Sequence, residues 1–175
     1  MVRTGCNAFA YYGGVESTRI SVQPADPHGE VATALISELV AELGSRYADR
    51  PDDEASSFSP ADVTVPRSIF VVATLDGEPV GSGALRPMAD DVVEIKRMYV
   101  REKARGLGVG HAILAELERH AAGFGYASMI LETGLRQPEA IALYTRRGFV
   151  RIANFGDYAD NPLSVCFGKD VGSQR

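Results

Sequence analysis

The chain has 175 residues, 45% of them apolar, with 18 Lys and Arg against 23 Asp and Glu and a formal charge of -5. That length suits one domain with one sizeable core, and the acidic balance excludes the broad basic face on which non-specific nucleic-acid binding depends. No apolar run approaches the roughly 18 residues of a spanning helix, and no apolar signal core follows the arginine at the N-terminus, so a cytoplasmic protein acting away from membranes is expected.

In chain order, residues 1–17 show no period and are rich in small residues, which predicts a loose arm ahead of a single domain over 18–175. TRISV (18–22) reads as a short strand. VATALISELVAEL then places Val31, Leu35, Leu39 and Leu43 at four-residue spacing, the mark of an amphipathic helix. From Tyr47 to Pro66 the sequence is polar and proline-punctuated, which predicts a loop or short helix of the kind that often covers a site. SIFVVATL, PVGSGALRPM and VVEIKRMYV, joined by the turns DGEP and ADD, predict an antiparallel meander. REKARGLGVG follows, then a helix whose stripe is Ile113, Leu114, Leu117 and Ala121 and which closes near Gly123 and Gly125. ASMILET is a further strand, EAIALYTRRG a helix ending on Gly148, and FVRIA and LSVCFGK a last pair of strands. The order β-α-(loop)-β-β-β-α-β-α-β-β predicts an α/β fold with a mixed, mostly antiparallel central sheet flanked by helices.

Glycines between a strand and a helix bare the backbone N–H groups at the positive helix end, an arrangement suited to phosphate. Here they satisfy neither the Walker A pattern, since no lysine follows, nor Gly-x-Gly-x-x-Gly, since from Gly106 the third position is His111 and from Gly108 it is Ile113. What they do form is Arg105-x-x-Gly108-x-Gly110. At these residues the chain resembles the GNAT (general N-acetyltransferase) superfamily, whose pyrophosphate signature, Gln/Arg-x-x-Gly-x-Gly/Ala, stands at the same junction. A second motif agrees: Ala140, Leu143, Tyr144, Gly148 and Phe149 are similar to the family's later A-x-x-L-Tyr-x-x-x-Gly-Phe. The two motifs lie in the family's order, one helix and one strand apart, and the resemblance covers residues 69–168.

The resemblance implies an acetyl-CoA-dependent N-acetyltransferase. Arg105, Gly106, Leu107, Gly108, Val109 and Gly110 would then hold the pyrophosphate, and the strand end Met98-Tyr99-Val100 would bond the pantetheine amides and polarise the thioester oxygen. Gln137 stands where relatives often carry an asparagine that meets the cofactor. Acetyl transfer to an amine needs a proton acceptor for the amine, polarisation of the carbonyl and help for the departing thiolate. By resemblance Glu94 is the first choice as base and Glu132 the second, each with the alternative of a strand carboxylate paired to Lys96 or Arg97. Tyr144 would donate to the thiolate, with a core tyrosine as its alternative.

His28, His111 and His120 have no metal-ligand spacing, and no metal is expected. Cys6 and Cys166 read as ordinary reduced thiols. A small-molecule amine is the expected acceptor, with a protein N-terminus or lysine, or a non-catalytic coenzyme A sensor, as alternatives; two copies could form a homodimer. The run PDDE (51–54) favours a cationic amine, whereas Lys96 and Arg97 favour an acceptor with a carboxylate, such as an amino acid.

Overall fold

The computed structural model describes residues 20–49 and 58–171. The arm expected over 1–17 and the acidic run at 51–54 lie outside the described residues. In chain order the elements are β1 (Ile20–Pro24), α1 (Glu30–Arg46), β2 (Ile69–Leu75), β3 (Glu78–Pro87), β4 (Val92–Val100), α2 (Val109–Gly123), β5 (Ser128–Gly134), α3 (Pro138–Arg146), β6 (Val150–Ile152) and β7 (Ser164–Asp170). This is the expected order. Single turns of 3-10 helix stand at Pro60–Val63, Glu102–Ala104 and Gly156–Tyr158.

The strands form one sheet in the order β1-β2-β3-β4-β5-β7-β6, antiparallel except between β4 and β5. The meander from β2 to β4 is therefore as its tight turns predicted. One face carries the larger core, where Val71, Ala73, Val80, Leu85, Val93, Ile95, Met129 and Leu131 meet Ile113, Leu114, Leu117 and Ala121 of α2 and Tyr144 of α3. On the other face, Ala32 and Leu35 of α1 pack on Phe70, Val72 and Ala84.

The stripe of α1 differs from the expected one. Val31 is 42% exposed, while Ala32 is 1%, Leu35 0% and Leu39 8% exposed. At 3.6 residues per turn, steps of four drift around the helix, whereas three- and four-residue steps together hold one face.

Two glycines of β3 let α2 lie close. A Cβ at Gly83 would stand 2.7 Å from Ile113 Cγ2, and one at Gly81 would stand 2.7 Å from the Tyr99 carbonyl and 3.0 Å from Ile113 Cδ1.

Candidate active site

β4 and β5 are paired only from Val92↔Ser128 to Ile95↔Leu131, although both strands run further. The separation coincides with an irregularity on the other side of β4, where Ala84 pairs with Lys96 but Ser82 with Tyr99, and where Arg97 adopts a left-handed φ of 55°. Bulges bend the strand that carries them, and here the bend turns the end of β4 away from β5. The backbone of that strand end therefore has no β5 ladder to join.

Between the parted strands and the start of α2 opens a cleft of about 360 Å³. Met98, Tyr99 and Val100 line it from β4, Arg105, Gly106, Gly108, Val109 and Gly110 from the glycine loop, and Gln137 and Tyr144 from α3 and its cap. Of the residues expected around the cofactor, Leu107 alone is not in this lining, and its side chain is 52% exposed. Gly106 and Gly108 have φ values of 76° and 91°, a region in which other residues are strained. Gly110 works differently: a Cβ there would meet Leu143 Cδ2 at 3.2 Å, so its bareness lets α2 approach α3. The first N–H groups of α2 have no carbonyl within the helix to bond and face an anion favourably.

The terminus of α1 closes one wall, which the sequence reading missed. Arg105 donates from Nε to the Val100 carbonyl (2.9 Å) and from Nη2 to Glu42 (2.5 Å). Glu42 also pairs with Arg46 (2.7 Å), and Arg46 with Glu139 at the start of α3. Arg46 and Arg136 each donate to the other's carbonyl, at 3.1 and 3.0 Å, and a side chain at Gly134 would overlap the Tyr47 hydroxyl. The four-residue spacing of Glu42 and Arg46 was visible in the chain; their long-range partners were not.

Tyr144 is both a core tyrosine and part of the cleft wall. Its ring sits 5.9 Å from Phe149 and 6.3 Å from Phe167 within the core, while the residue also lines the cleft. Burial, and then the nearby Glu132 carboxylate, push its phenol well above the ordinary value, so it holds its proton at any working pH.

The two glutamates share the α1 face of the sheet but differ in surroundings. Glu94 has no exposed surface, accepts from Nε (3.1 Å) and Nη2 (2.5 Å) of Arg86, and has Lys96 Nζ 3.4 Å from its other oxygen. Two cations thus hold this carboxylate in place from both of its oxygens. Glu132 is partly exposed, accepts from Ser164 Oγ at 2.6 Å and lies close enough to Tyr144 to influence its titration. Neither carboxylate is in the cleft lining itself.

His111 lies in the cleft wall and His120 stands 3.1 Å from Glu116 at the far end of α2. Among the described residues no group of three His, Cys, Asp or Glu could hold a metal ion, and no helix is long and apolar enough to cross a membrane. Cys166 is a buried free thiol whose pKa burial raises.

A strand that leaves its parallel neighbour, a glycine-lined helix start and a tyrosine at the same cleft define an acyl-coenzyme A-dependent transferase fold. The profile of the Acetyltransferase (GNAT) family matches residues 32–149. An IAA acetyltransferase of Azospirillum brasilense is 32% identical over 153 residues, which cover 87% of this chain and 98% of that one. A Klebsiella pneumoniae structure named as an acyl-CoA N-acyltransferase superposes with a TM-score of 0.71 at 31% identity, over 87% of this chain and 97% of the other. The fold is also that of a GNAT acetyltransferase from Elizabethkingia anophelis with acetyl-CoA bound (TM-score 0.63, 20% identity, 86% and 97% covered). The chain belongs to the GNAT acetyltransferase family and is an acetyl-CoA-dependent N-acetyltransferase.

Proposed function

We propose that the chain moves an acetyl group from acetyl-CoA to the primary amine of a small molecule, with both substrates bound at once. The observation that carries this is the parting of β4 from β5 after Ile95 and Leu131, with the glycine loop and Tyr144 on one cleft. Acetyl-CoA supplies the acetyl group as a thioester. The first-turn N–H groups of α2 and the Gly106–Gly110 loop hold its pyrophosphate, with Arg105, Val109 and the exposed Leu107 completing that loop. The backbone of Met98, Tyr99 and Val100 on the edge that β5 leaves unpaired bonds the pantetheine arm and polarises the acyl oxygen, and Gln137 borders the arm from the cap of α3. Electrostatic polarisation by fixed donors is commonly the largest contribution to acyl transfer.

Glu132 takes the amine proton, directly or through one water, because it is the glutamate with exposure and stands near Tyr144. Tyr144 gives its proton to the departing sulfur as the new amide forms. Glu94, the first choice from the sequence, fits better as the anion that positions Arg86 and Lys96. The enzyme acts in the cytoplasm on this reading, with a homodimer as its candidate assembly.

Free thiol released from acetyl-CoA, measured across amines, amino acids, aminoglycosides and peptides, tests the proposal. Release with a small amine supports it. Release with peptides alone makes the protein a peptide acetyltransferase, and tight acetyl-CoA binding without release on any acceptor makes it a coenzyme A sensor.

A further inference from the structure

Strand β4 turns two successive cations to the same face. Val93 and Ile95 enter the α2-side core, and Glu94 and Lys96 stand on the opposite side, so strict alternation would send Arg97 back into the core. The register shift prevents this. Lys96 is opposite Ala84 and Tyr99 is opposite Ser82, which leaves Arg97 and Met98 both facing Gly83. Met98 packs on the α2-side core in Arg97's place, while the Arg97 guanidinium lies 4.5 Å from the ring of Phe58, a member of the α1-side cluster. Ser82 Oγ donates to the Arg97 carbonyl at 3.0 Å and fixes the distortion. Bulges that re-aim a side chain recur beside active sites, and strained backbone at such a point is retained when the side chain it presents has a use.

The outcome is a concentration of positive charge at the mouth of the parted strands. Arg86 and Lys96 flank the buried carboxylate of Glu94, Asp62 stands at the rim 3.6 Å from Arg86, and Arg97 follows Lys96 on the same face. Glu94 is already shared between Arg86 and Lys96. Lys96 Nζ also donates to the Tyr158 hydroxyl at 2.5 Å, which brings a further hydrogen-bonding group into the same cluster. Burial is the main influence disfavouring the charge on Arg97, and Arg86 adds to it, while Tyr158 and Asp62 offset part of the effect. A half-buried guanidinium beside another cation is relieved by an incoming anion, and its planar donors match a carboxylate in two parallel hydrogen bonds.

We propose that Lys96 and Arg97, set side by side by the bulge, bind a carboxylate of the acetyl acceptor, so that the acceptor is an amino acid or a related amino carboxylate. This presupposes the acetyl transfer proposed above. The carboxylate rests on the Lys96–Arg97 pair while the amine reaches into the gap toward Glu132, and the acetyl group becomes an amide on an acid that keeps its charge.

The test compares amino acids with their own α-amides, which keep the amine and the side chain and lose only the charge. Thiol release with acetyl-CoA is followed for aspartate, glutamate, methionine and phenylalanine against the four amides, with spermidine and a lysine peptide alongside. The expected kcat/KM is higher for at least one acid than for its amide by about tenfold or more, the scale of one hydrogen bond to a charged group. Arg97→Gln should bring that ratio toward one through KM, and Arg97→Lys should restore part of it. Amides that match or exceed the acids in the wild-type protein overturn the subsite, as does a ratio that Arg97→Gln leaves unchanged. Should Arg97→Gln fail to fold, the wild-type ratio still decides, and Lys96→Met provides the second variant. Turnover of spermidine or the peptide but of no amino acid removes the carboxylate subsite and leaves acetyl transfer standing; binding of acetyl-CoA with turnover of nothing removes both.

Discussion

On one face of the sheet, β2 to β5 turn Val71, Ala73, Val80, Leu85, Val93, Ile95, Met129 and Leu131 against α2, and the contact is dry and closely fitted. On the other face, strands β3 to β5 present Arg86, Glu94, Lys96 and Glu132, and side chains from the last third of the chain, Tyr158 and Ser164, complete their hydrogen bonding. The two faces teach different things about stability and use. Apolar residues stabilise in proportion to the area they bury and tolerate exchange of shape. Buried charges gain little net stability even when well paired, and are strongly missed when one partner goes. A cluster such as Arg86–Glu94–Lys96 therefore adds little net stability for the loss it risks, which is consistent with the acceptor subsite proposed above.

The largest expected effect separates these roles for Glu94. Glu94→Gln leaves two cations around a neutral amide, and as an ion-pair partner it should destabilise the chain by roughly 3 kcal/mol, the lower end of the range for breaking a buried pair. Urea unfolding measures this. Were Glu94 also the base, the folded variant would in addition lose turnover at neutral pH and recover it at alkaline pH, where the amine deprotonates by itself. Glu132→Gln should show that kinetic pattern.

Next in size is the hydroxyl where the two faces meet at the cleft. Tyr144→Phe retains the ring between Phe149 and Phe167, so the melting temperature and acetyl-CoA affinity should stay near normal. Turnover should fall by ~10²-fold or more, the usual scale of general acid assistance. Because the phenol's pKa is raised by burial, it should produce no alkaline limb in the wild-type pH–rate profile below its ordinary ionisation range. Normal turnover in the variant would make Tyr144 a packing residue, and unfolding would make it a core one.

The dry face was the more legible in the sequence. The stripe of α2 is buried as its spacing predicted, with Ile113, Leu114, Leu117 and Ala121 all at 0% exposure, and β4 spans Val92–Val100 as VVEIKRMYV suggested. Period alone suffices where one neighbour dictates one face. The order of elements and the glycine loop could be read for the same reason, since each is a local pattern. The functional face could not be read this way, because its arrangement depends on partners far along the chain. The bulge at Arg97 depends on pairing with Gly83 in another strand, the Glu94 environment depends on Arg86, and Glu42 meets Arg105 only after α1 has folded across the cleft. Nor does GSG in β3 reveal that two of its residues must be small for α2 to settle.

That last feature provides the third test, confined to the dry face. Gly83→Ala places a methyl group against Ile113, Leu117 and the sulfur of Met98 at 2.7 to 3.0 Å. Overpacking of this kind costs about 1–3 kcal/mol, and thermal unfolding should register it. Met98 belongs to the cleft as well as to the core, so acetyl-CoA affinity measured by calorimetry should weaken too. A variant with unchanged stability would mean that α2 shifts easily on the sheet and that the closeness of this face is not a constraint.

The smallest expected effect belongs to the polar side. Glu38 of α1 accepts from Nε and Nη2 of Arg101, at 2.8 and 2.6 Å, just beyond the end of β4. The Arg101 hydrogen bonds hold the Glu38 carboxyl below its ordinary value. A folded-state pKa below the unfolded one contributes stability above the unfolded pKa and loses it as pH falls through the folded pKa, so the contribution is present at neutrality and fades below the ordinary carboxylate range. The pair is partly solvated, with side-chain exposures of 28% and 37%, which limits it to about 0.5 kcal/mol. Glu38→Gln should therefore melt slightly below the wild type at pH 7, with the gap closing at pH 3 and narrowing in 1 M salt, where the Debye length falls to about 3 Å. A gap that persisted at pH 3 would locate the effect in hydrogen bonding to Arg101 rather than in charge, and α1 would then be held to its face much as α2 is held to the other, by contacts indifferent to protons and salt.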